Sequence, residues 1–210
     1  MSEIIEALNW RYATKKFDSE KKIPQKDFDE LLESLRLAPS SFGLEPWKFI
    51  VVEDKDLREK IKKNAWNQTQ ITDASHLIVL CAKKTITFED IENFVERVAE
   101  ERDVDAASLE HYKGMIHGFR KGVDDEFVRN WNRRQTYIAL GFLLESAALK
   151  KIDACPMEGF NAAAVDGVLD LTESDYGVVA LCPVGYRASD DKYAHLKKVR
   201  LSRDEVVEFR

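Results

Sequence analysis

The segment Leu37-Ala38-Pro39-Ser40-Ser41-Phe42-Gly43-Leu44-Glu45-Pro46-Trp47-Lys48-Phe49-Ile50-Val51-Val52 joins two kinds of predicted secondary structure. Before it, a helix is predicted from Pro24 onward, because proline suits the first turn of a helix and apolar residues then recur at helical spacing: Phe28, Leu31, Leu32 and Leu35. At its end, the β-branched run over residues 48–52 predicts a strand. The segment is therefore predicted to carry the chain from a helix, through a loop, into a buried strand.

The loop inside this segment has the composition of a possible binding element. Pro39 and Pro46 resist helix formation and remove two backbone donors, so the chain between them stays open. Ser40 and Ser41 supply hydroxyl groups, and Gly43 allows another group to approach the backbone closely. A plain connection between two elements is the commoner role of such a loop. Only its combination with other residues of the chain favours a binding role.

The remaining segments predict an α+β fold with helices covering a central sheet. Two further apolar runs, residues 77–82 and 178–182, predict buried strands. Amphipathic helices are predicted at four other places: around Ile4 to Leu8, after Asp54, from Phe88 to Val98, and after Asn161. The longest helical pattern runs from about residue 126 to 151. Its second half is apolar nearly all round, which predicts burial within the chain or against a second subunit.

Composition limits the classes of protein that this chain can represent. Its 210 residues, 44% hydrophobic and 33% charged, predict a single folded domain over residues 1–210, with a mobile helical excursion at about 100–125. A net charge of −6 argues against a nucleic-acid partner, and no apolar run approaches the roughly 20 residues that span a bilayer. The first residues lack the features of a signal peptide, and the cysteines are odd in number, which together predict a cytoplasmic protein with reduced thiols. The histidines show no metal-ligand spacing, so we expect no metal site.

The chemistry-bearing residues suggest an anionic, flat ligand. The common catalytic motifs, such as G-x-S-x-G, H-E-x-x-H and G-x-G-x-x-G, are absent, so any reaction would depend on a cofactor. Cations occur near both ends of the chain, at Arg11 and Lys15 and at Lys198 and Arg200, and a phosphate group would require such a cluster. Each of them, taken singly, is more often a solvated surface charge. Polar side chains such as Asn67 have an equally ordinary role in turns.

Five segments, in their order and spacing, resemble the nitroreductase family, and in particular the oxygen-insensitive bacterial NAD(P)H nitroreductases. The resemblance extends over almost the whole chain, from Ile4 to about Leu201. The segments are Arg11-Tyr12-Ala13-Thr14-Lys15-Lys16-Phe17-Asp18, Ala38-Pro39-Ser40-Ser41 with Pro46-Trp47, Asp73-Ala74-Ser75-His76, Pro156-Met157-Glu158-Gly159-Phe160, and Lys198-Val199-Arg200.

This resemblance implies a particular architecture and cofactor. The fold would be α+β, with a central, mostly antiparallel sheet covered by helices, and the long buried helix would lie at the interface of a homodimer. Two FMN molecules would bind at that interface, and NAD(P)H would be the co-substrate. The protein partner would be a second copy of the chain, and no membrane would be involved.

The resemblance also implies roles for individual residues. Arg11, Lys198 and Arg200 would bind the FMN phosphate, with Tyr12 and Ala13 in the same segment and Ala13 at the place of a serine in relatives. Lys15 would lie near the N1 and C2 carbonyl edge of the flavin, where a cation stabilises the reduced ring. Other residues would complete the site: Asn67 and Gln70 at the ring edge, the Glu158 backbone N–H near N5, the residues Pro156, Met157 and Gly159 on the ring face, and Pro39, Ser40 and Ser41 from the other subunit.

The implied reaction is ping-pong transfer of a hydride from NAD(P)H through flavin N5 to a nitroaromatic, a quinone or a similar electron-poor acceptor. No side chain is predicted to be catalytic, because Lys15 and Glu158 only tune the flavin. Two alternatives remain open at this point. One is a flavoenzyme of the same scaffold that acts on a different substrate, by reductive dehalogenation or flavin fragmentation. The other is a protein without catalysis, either a flavin-storage protein or a helical interaction module.

The chain departs from the family pattern in three places. Gln70 stands where close relatives carry a lysine, which predicts an altered flavin potential or nucleotide preference. The tetrad from Phe42 to Glu45 replaces a commoner polar sequence before Pro46. The region 100–125, which supplies an aromatic substrate gate in relatives, is divergent, so only Phe119 and His117, together with Phe42, are candidate substrate residues.

Overall fold

The computed structural model describes residues 1–210 and contains one four-stranded antiparallel sheet. The strands are β1 (Trp47–Val52), β2 (His76–Lys83), β3 (Asp153–Ala154) and β4 (Tyr176–Gly185), and their order in the sheet is β1-β2-β4-β3. The three strands predicted from apolar runs are confirmed, as is the α+β class. Strand β3 was not predicted, because two residues carry no periodic pattern.

Nine α-helices surround this sheet. They are α1 (Glu3–Trp10), α2 (Gln25–Arg36), α3 (Lys55–Lys63), α4 (Gln70–Asp73), α5 (Phe88–Arg102), α6 (Glu110–Lys121), α7 (Asp125–Leu149), α8 (Ala162–Val168) and α9 (Arg203–Val206). Short 3-10 turns occur at Ser41–Gly43, Ala106–Leu109 and Lys192–His195. The two predicted caps are confirmed, since the Asp54 side chain accepts from the Leu57 N–H and the Asn161 side chain accepts from the Ala164 N–H.

The sheet separates two hydrophobic layers, and β2 supplies side chains to both. Ile78 and Leu80 face the layer that contains α2 and α7, whereas Leu77, Val79 and Cys81 face the layer that contains α3 and α8. This alternation is the two-residue period of a strand that is covered on both faces. The cysteines are free and buried, as predicted for reduced thiols.

The segment between β2 and α7 forms a separate helical unit beside the sheet. Helices α5 and α6 pack on each other around a small apolar cluster that includes Ile91, Phe94, Ile116 and Trp131. The predicted helical character of residues 100–125 is confirmed by α6. The mobility of this segment and the single-domain organisation stay predictions.

The long helix α7 runs through the centre of the molecule and leaves part of its apolar surface uncovered. One side packs on the sheet and on α2, with Ala139 and Leu143 fully buried. The other side, together with the adjoining helix α1, exposes large apolar side chains at 37% to 48%: Ile4, Ile5, Leu8, Ile138, Phe142 and Leu149. Within one chain, therefore, the second half of α7 is only half covered. None of the helices combines the length and the apolarity that crossing a membrane requires.

Candidate functional site

A cavity of about 330 Å³ lies between α7 and the loop that follows β3. Its walls include Tyr137, Leu140, Gly141 and Leu144 from the helix, and Pro156, Met157 and Glu158 from the loop. The loop is fixed to the sheet because Met157 and Leu181 exchange two backbone hydrogen bonds of 2.8 and 3.0 Å. The structure thus places two of the three residues predicted for a ring face, Pro156 and Met157, along one mostly apolar cavity, whereas Gly159 is outside its lining.

Glu158 presents a free backbone donor at this cavity. Its N–H group donates to no other atom of the chain. Its carboxylate, by contrast, accepts a 2.6 Å hydrogen bond from the Tyr137 hydroxyl on α7. Burial, and then the bond to Glu158, raise the pKa of Tyr137 to about 12. The pair therefore holds the Glu158 side chain against α7 and leaves the backbone N–H available to a ligand.

Trp66 lies against the same loop, although its place in the sequence did not predict a role in the site. Its side chain is 77% exposed, and its backbone is left-handed with φ 54°. A Cβ atom at Gly159 would be only 2.4 Å from Cζ3 of Trp66, so the indole can take this position only because residue 159 is glycine. Gln68 Nε2 donates to the Gly159 carbonyl at 2.9 Å and ties the two segments together. The only signal in the sequence was an aromatic residue within a run of amides.

The two predicted ring-edge residues differ in their accessibility. Asn67 is exposed and, like Trp66, adopts a left-handed backbone with φ 55°. Gln70 begins α4 and is 7% exposed. A side chain from position 70 is therefore more confined than one from position 67.

The segment that follows α1 is held in place by one buried carboxylate, that of Asp191. Its Oδ2 atom accepts from the Tyr12 hydroxyl at 2.9 Å, from the Lys15 N–H at 2.9 Å and from the Lys16 N–H at 3.1 Å. Its Oδ1 atom accepts from the Tyr193 N–H at 3.0 Å. Burial alone would raise the pKa of Asp191, but these hydrogen bonds lower it below the ordinary value. Asp191 fixes the backbone that carries Lys15.

A second buried carboxylate, Asp153 of β3, places the same segment beside the cavity loop. It accepts from the Thr14 hydroxyl at 3.2 Å and pairs with Arg187 at 2.6 Å. Ala13 forms a parallel bridge with Ala154, two residues before Pro156. Residues 12–16 therefore run directly alongside the start of the loop that lines the cavity.

Three predicted cations meet where the two ends of the chain come together. The Lys198 ammonium donates to the carbonyl groups of Leu8 and Arg11. Burial, and then the Arg200 charge, lower the pKa of Arg11; burial, and then the charges of Arg11 and Arg200, lower that of Lys198. No carboxylate lies within ion-pair distance of any of the three. Such an uncompensated cluster favours an anionic ligand.

The loop with Pro39, Ser40 and Ser41 lies on another side of α7. The Ser41 N–H donates to the Gln135 side chain at 2.9 Å, and the Ser40 hydroxyl accepts from the Glu45 N–H. Gln135 and Tyr137 are two positions apart, which turns them about 200° from each other around the helix axis. The structure of one chain does not bring this loop to the cavity.

The candidate substrate residues form two groups. Phe42 and Phe119 lie in one aromatic cluster, with ring centroids 5.4 Å apart, and Phe119 also contacts Trp131. His117 instead faces α5, where its Nε2 atom is 3.2 Å from a Glu92 carboxylate oxygen. The structure thus joins Phe42 with Phe119 and leaves His117 outside that cluster.

Comparison with known proteins identifies the family to which the chain belongs. The sequence profile of the Nitroreductase family matches residues 8–186. A Staphylococcus saprophyticus protein named as a candidate NAD(P)H nitroreductase is 37% identical over 98% of this chain and 96% of its own. Among solved structures, a candidate nitroreductase of Bacillus subtilis superposes with a TM-score of 0.88 at 25% identity over 99% of each chain. A candidate nitroreductase of Exiguobacterium sibiricum, solved in complex with FMN, gives 0.86 at 19% identity over 100% of this chain and 98% of that one. The chain belongs to the nitroreductase family.

Proposed function

We propose that this protein is an FMN-dependent oxidoreductase that passes electrons from NAD(P)H to nitroaromatics, quinones or similar electron-poor acceptors in a ping-pong reaction. The observation that carries the proposal is the uncompensated cluster of Arg11, Lys198 and Arg200 beside the segment that borders the cavity. A phosphate group with about −1.5 to −2 charges is the ligand that such a cluster suits. The relatives support the same cofactor and co-substrate, since the Staphylococcus protein is named for NAD(P)H and the Exiguobacterium protein was solved with FMN.

The residues at the cavity fit the isoalloxazine ring of FMN. Its apolar walls suit a flat ring, and the free Glu158 N–H is a donor of the kind that N5 accepts from. Lys15 is exposed and makes no ion pair, so its charge is available to the N1 and C2 carbonyl edge. Asn67 and Gln70 are proposed at the ring edge, whereas Pro156, Met157 and Gly159 are proposed on its face.

FMN, when bound, supplies the hydride and two-electron chemistry, and the protein supplies position and electrostatics. Lys15 would stabilise negative charge at one edge of the ring, because a fixed cation in a partly dry site favours the reduced form. Trp66 provides an exposed aromatic face next to Gly159 against which an aromatic acceptor could stack. No general acid or nucleophile is needed for these roles.

A homodimer completes the site in this proposal. The apolar side chains exposed on α1 and α7 form a surface that a second copy can cover. The loop with Pro39, Ser40 and Ser41 lies across α7 from the cavity, so it can reach the site of a second subunit rather than its own. Phe42 and Phe119 would then approach the partner's acceptor. His117, which faces Glu92, is the weaker candidate for that contact.

The purified protein provides the test. A yellow protein whose absorbance is bleached anaerobically by NAD(P)H, and restored by menadione or a nitrofuran, is the expected result. Bleaching without reoxidation by either acceptor would favour storage or a different substrate, such as one that is reductively dehalogenated. A colourless protein that takes up no added FMN would refute the flavoenzyme assignment altogether.

A further inference from the structure

A second cavity, of about 240 Å³, lies between α7, α8 and the start of β4. Its charged lining consists of four cations and one carboxylate: Lys83, Lys84, Arg129, Arg133 and Asp166. The chain as a whole has a net charge of −6, so this concentration of positive charge is local. Nothing in the flavin proposal uses it.

Three of these charged groups already have partners. Lys83 pairs with Asp90, and Lys84 donates to the carbonyl groups of Leu171 and Thr172 at 3.0 and 2.8 Å. Asp166 accepts a 2.8 Å hydrogen bond from the Val178 N–H, which anchors α8 to β4.

The remaining two, Arg129 and Arg133, make no hydrogen bond, ion pair or aromatic contact. Each guanidinium can offer a planar pair of donors to a carboxylate or phosphate. Because the two arginines are one helical turn apart, their side chains project from the same face of α7. The cavity therefore holds two free arginines directed to one region.

The basic cavity adjoins the proposed flavin cavity along α7. Arg129, Arg133, Tyr137 and Gly141 follow one another at four-residue intervals, so each is turned only about 40° from the one before it, and the last two line the flavin cavity. Val178 and Val179 of β4 line the basic cavity, and the next residue, Ala180, lines the other. Arg133 and Gly141 are eight residues apart, or about 12 Å along the helix axis. A substituted aromatic molecule can extend over that distance.

We propose that Arg129 and Arg133 bind the anionic group, a carboxylate or a phosphate, of a substrate whose reacting part lies at the flavin cavity. The inference rests on the proposed function, because it assigns a specificity-determining site to the same reaction. Two substrates could carry the anion: an aromatic acceptor with a carboxylate, or NADPH with its 2′-phosphate. The chemistry of recognition is the same for both.

The kinetic test uses the double variant R129Q/R133Q, with R134Q as the matched control. Arg134 is a neighbouring exposed arginine on α7, but its guanidinium lies over the Phe127 ring, 5.7 Å from the centroid. The assays compare 4-nitrobenzoate with the neutral 4-nitrobenzyl alcohol, using NADH, and then compare NADPH with NADH, using the neutral acceptor. Because Arg129 and Arg133 are solvent-exposed, each ion pair is individually weak, and loss of both predicts a fall of about tenfold in kcat/KM for the anionic member of one pair.

The outcome identifies the source of the anion. A loss confined to 4-nitrobenzoate assigns the site to the acceptor, and a loss confined to NADPH assigns it to the nucleotide. Either loss should shrink at high salt, since exposed ion pairs are screened. The proposal would be overturned if R129Q/R133Q lowered kcat/KM equally for the anionic and the neutral member of each pair, or if it had no effect. The same loss in the R134Q control would also overturn it.

A binding measurement separates this inference from the proposed function. Benzoate and adenosine 2′-phosphate are titrated calorimetrically into the purified protein without NAD(P)H. Binding of at least one probe to the wild type, weakened about tenfold in R129Q/R133Q but not in R134Q, is the expected result. If neither probe binds, or if the double variant binds as well as wild type, the arginine site is refuted. Failure of the protein to hold FMN or to be reduced would refute the flavoenzyme assignment instead.

Discussion

Asp191→Asn is expected to weaken FMN binding by loosening a segment that Asp191 fixes in place. The carboxylate is 3% exposed and accepts four hydrogen bonds, three of them from residues 12–16. An asparagine has a single acceptor oxygen and an NH2 group. At least one of the four donors must therefore face another donor, and the remaining bonds lose their charge assistance.

The magnitude follows from these contacts. An unsatisfied buried donor costs about 1–3 kcal/mol, and three bonds that change from charged to neutral lose about 0.5–1 kcal/mol each. Relaxation and entry of water will offset part of this, so a loss of about 2–4 kcal/mol in the free energy of unfolding is expected. Re-ordering the backbone around Lys15 on each binding event costs about 1–2 kcal/mol, which is roughly a tenfold increase in the Kd for FMN.

The assays are urea unfolding of the apoprotein, fluorescence titration of FMN, and the midpoint potential of the bound flavin. Because Lys15 is proposed to stabilise the reduced ring, the potential of the variant should become more negative. Asp190→Asn is the matched control, since Asp190 is the neighbouring residue, is exposed, and pairs only with the Lys16 side chain. A variant that is less stable but keeps the wild-type Kd and potential would refute the positioning role and leave a purely structural one.

The same carboxylate predicts a pH dependence. Its pKa is lowered in the folded protein, so its contribution to stability is fully present above the ordinary aspartate value, about 4. That contribution is lost as the pH falls from there through the lowered pKa. Wild type should therefore lose stability relative to Asp191→Asn as the pH falls below about 4, and a constant difference between the two proteins in acid would contradict the assignment.

Three further predictions concern the proposed flavin site. Arg11→Ala and Arg200→Ala should each raise the Kd for FMN about tenfold or more, because each removes a charge-assisted phosphate contact. The circular dichroism spectrum should stay unchanged. Unchanged FMN affinity in both variants would mean that the phosphate lies elsewhere. Gly159→Ala should displace the Trp66 indole, which a Cβ would meet at 2.4 Å, and should lower kcat/KM for aromatic acceptors several-fold more than for ferricyanide. Gln70→Lys adds a cation near the ring, so the flavin potential should rise or the preference for NADPH over NADH should shift. If both the potential and the preference stayed the same, position 70 would be remote from the flavin.

The sheet and most of the helices could be predicted from sequence because their signals are local. An apolar run of six residues or an amphipathic repeat is visible without knowledge of the partners that cover it. The same holds for the caps at Asp54 and Asn161, where the bond closes within three residues. Strand β3 has no such signal, since its two residues form a strand only because β4 lies beside them.

The parts of the site that escaped prediction depend on contacts between distant segments. Asp191 acts on Tyr12 from 179 positions away, and its surroundings in the sequence are those of an ordinary surface turn. Trp66 is recognised as part of the site only through the close approach of its indole to Gly159, and no periodic pattern in the sequence reveals that contact. The cations at both ends of the chain were visible in the sequence as a candidate phosphate cluster, and the family resemblance added the prediction that the phosphate is that of FMN. The structure supplies the physical link between them, because the Lys198 ammonium binds the Arg11 carbonyl.

The loop from Phe42 to Glu45, which the sequence predicts to differ from the family pattern, contacts the α5–α6 unit. Phe42, Gly43 and Glu45 have positive φ values of 56°, 70° and 47°, and a left-handed backbone costs about 1–2 kcal/mol at each of the two residues that are not glycine. Contacts from the α5–α6 unit offset that cost: the Tyr112 hydroxyl donates to the Phe42 carbonyl, and the Phe119 ring packs on that of Phe42. Because the same loop carries Ser40 and Ser41, a change in the packing of α5 and α6 would be transmitted to the residues proposed to reach the partner's flavin. The two segments predicted to differ from the family pattern, residues 100–125 and the tetrad, are therefore in direct contact, and a substitution in one is expected to alter the other and, with it, the proposed acceptor side of the site.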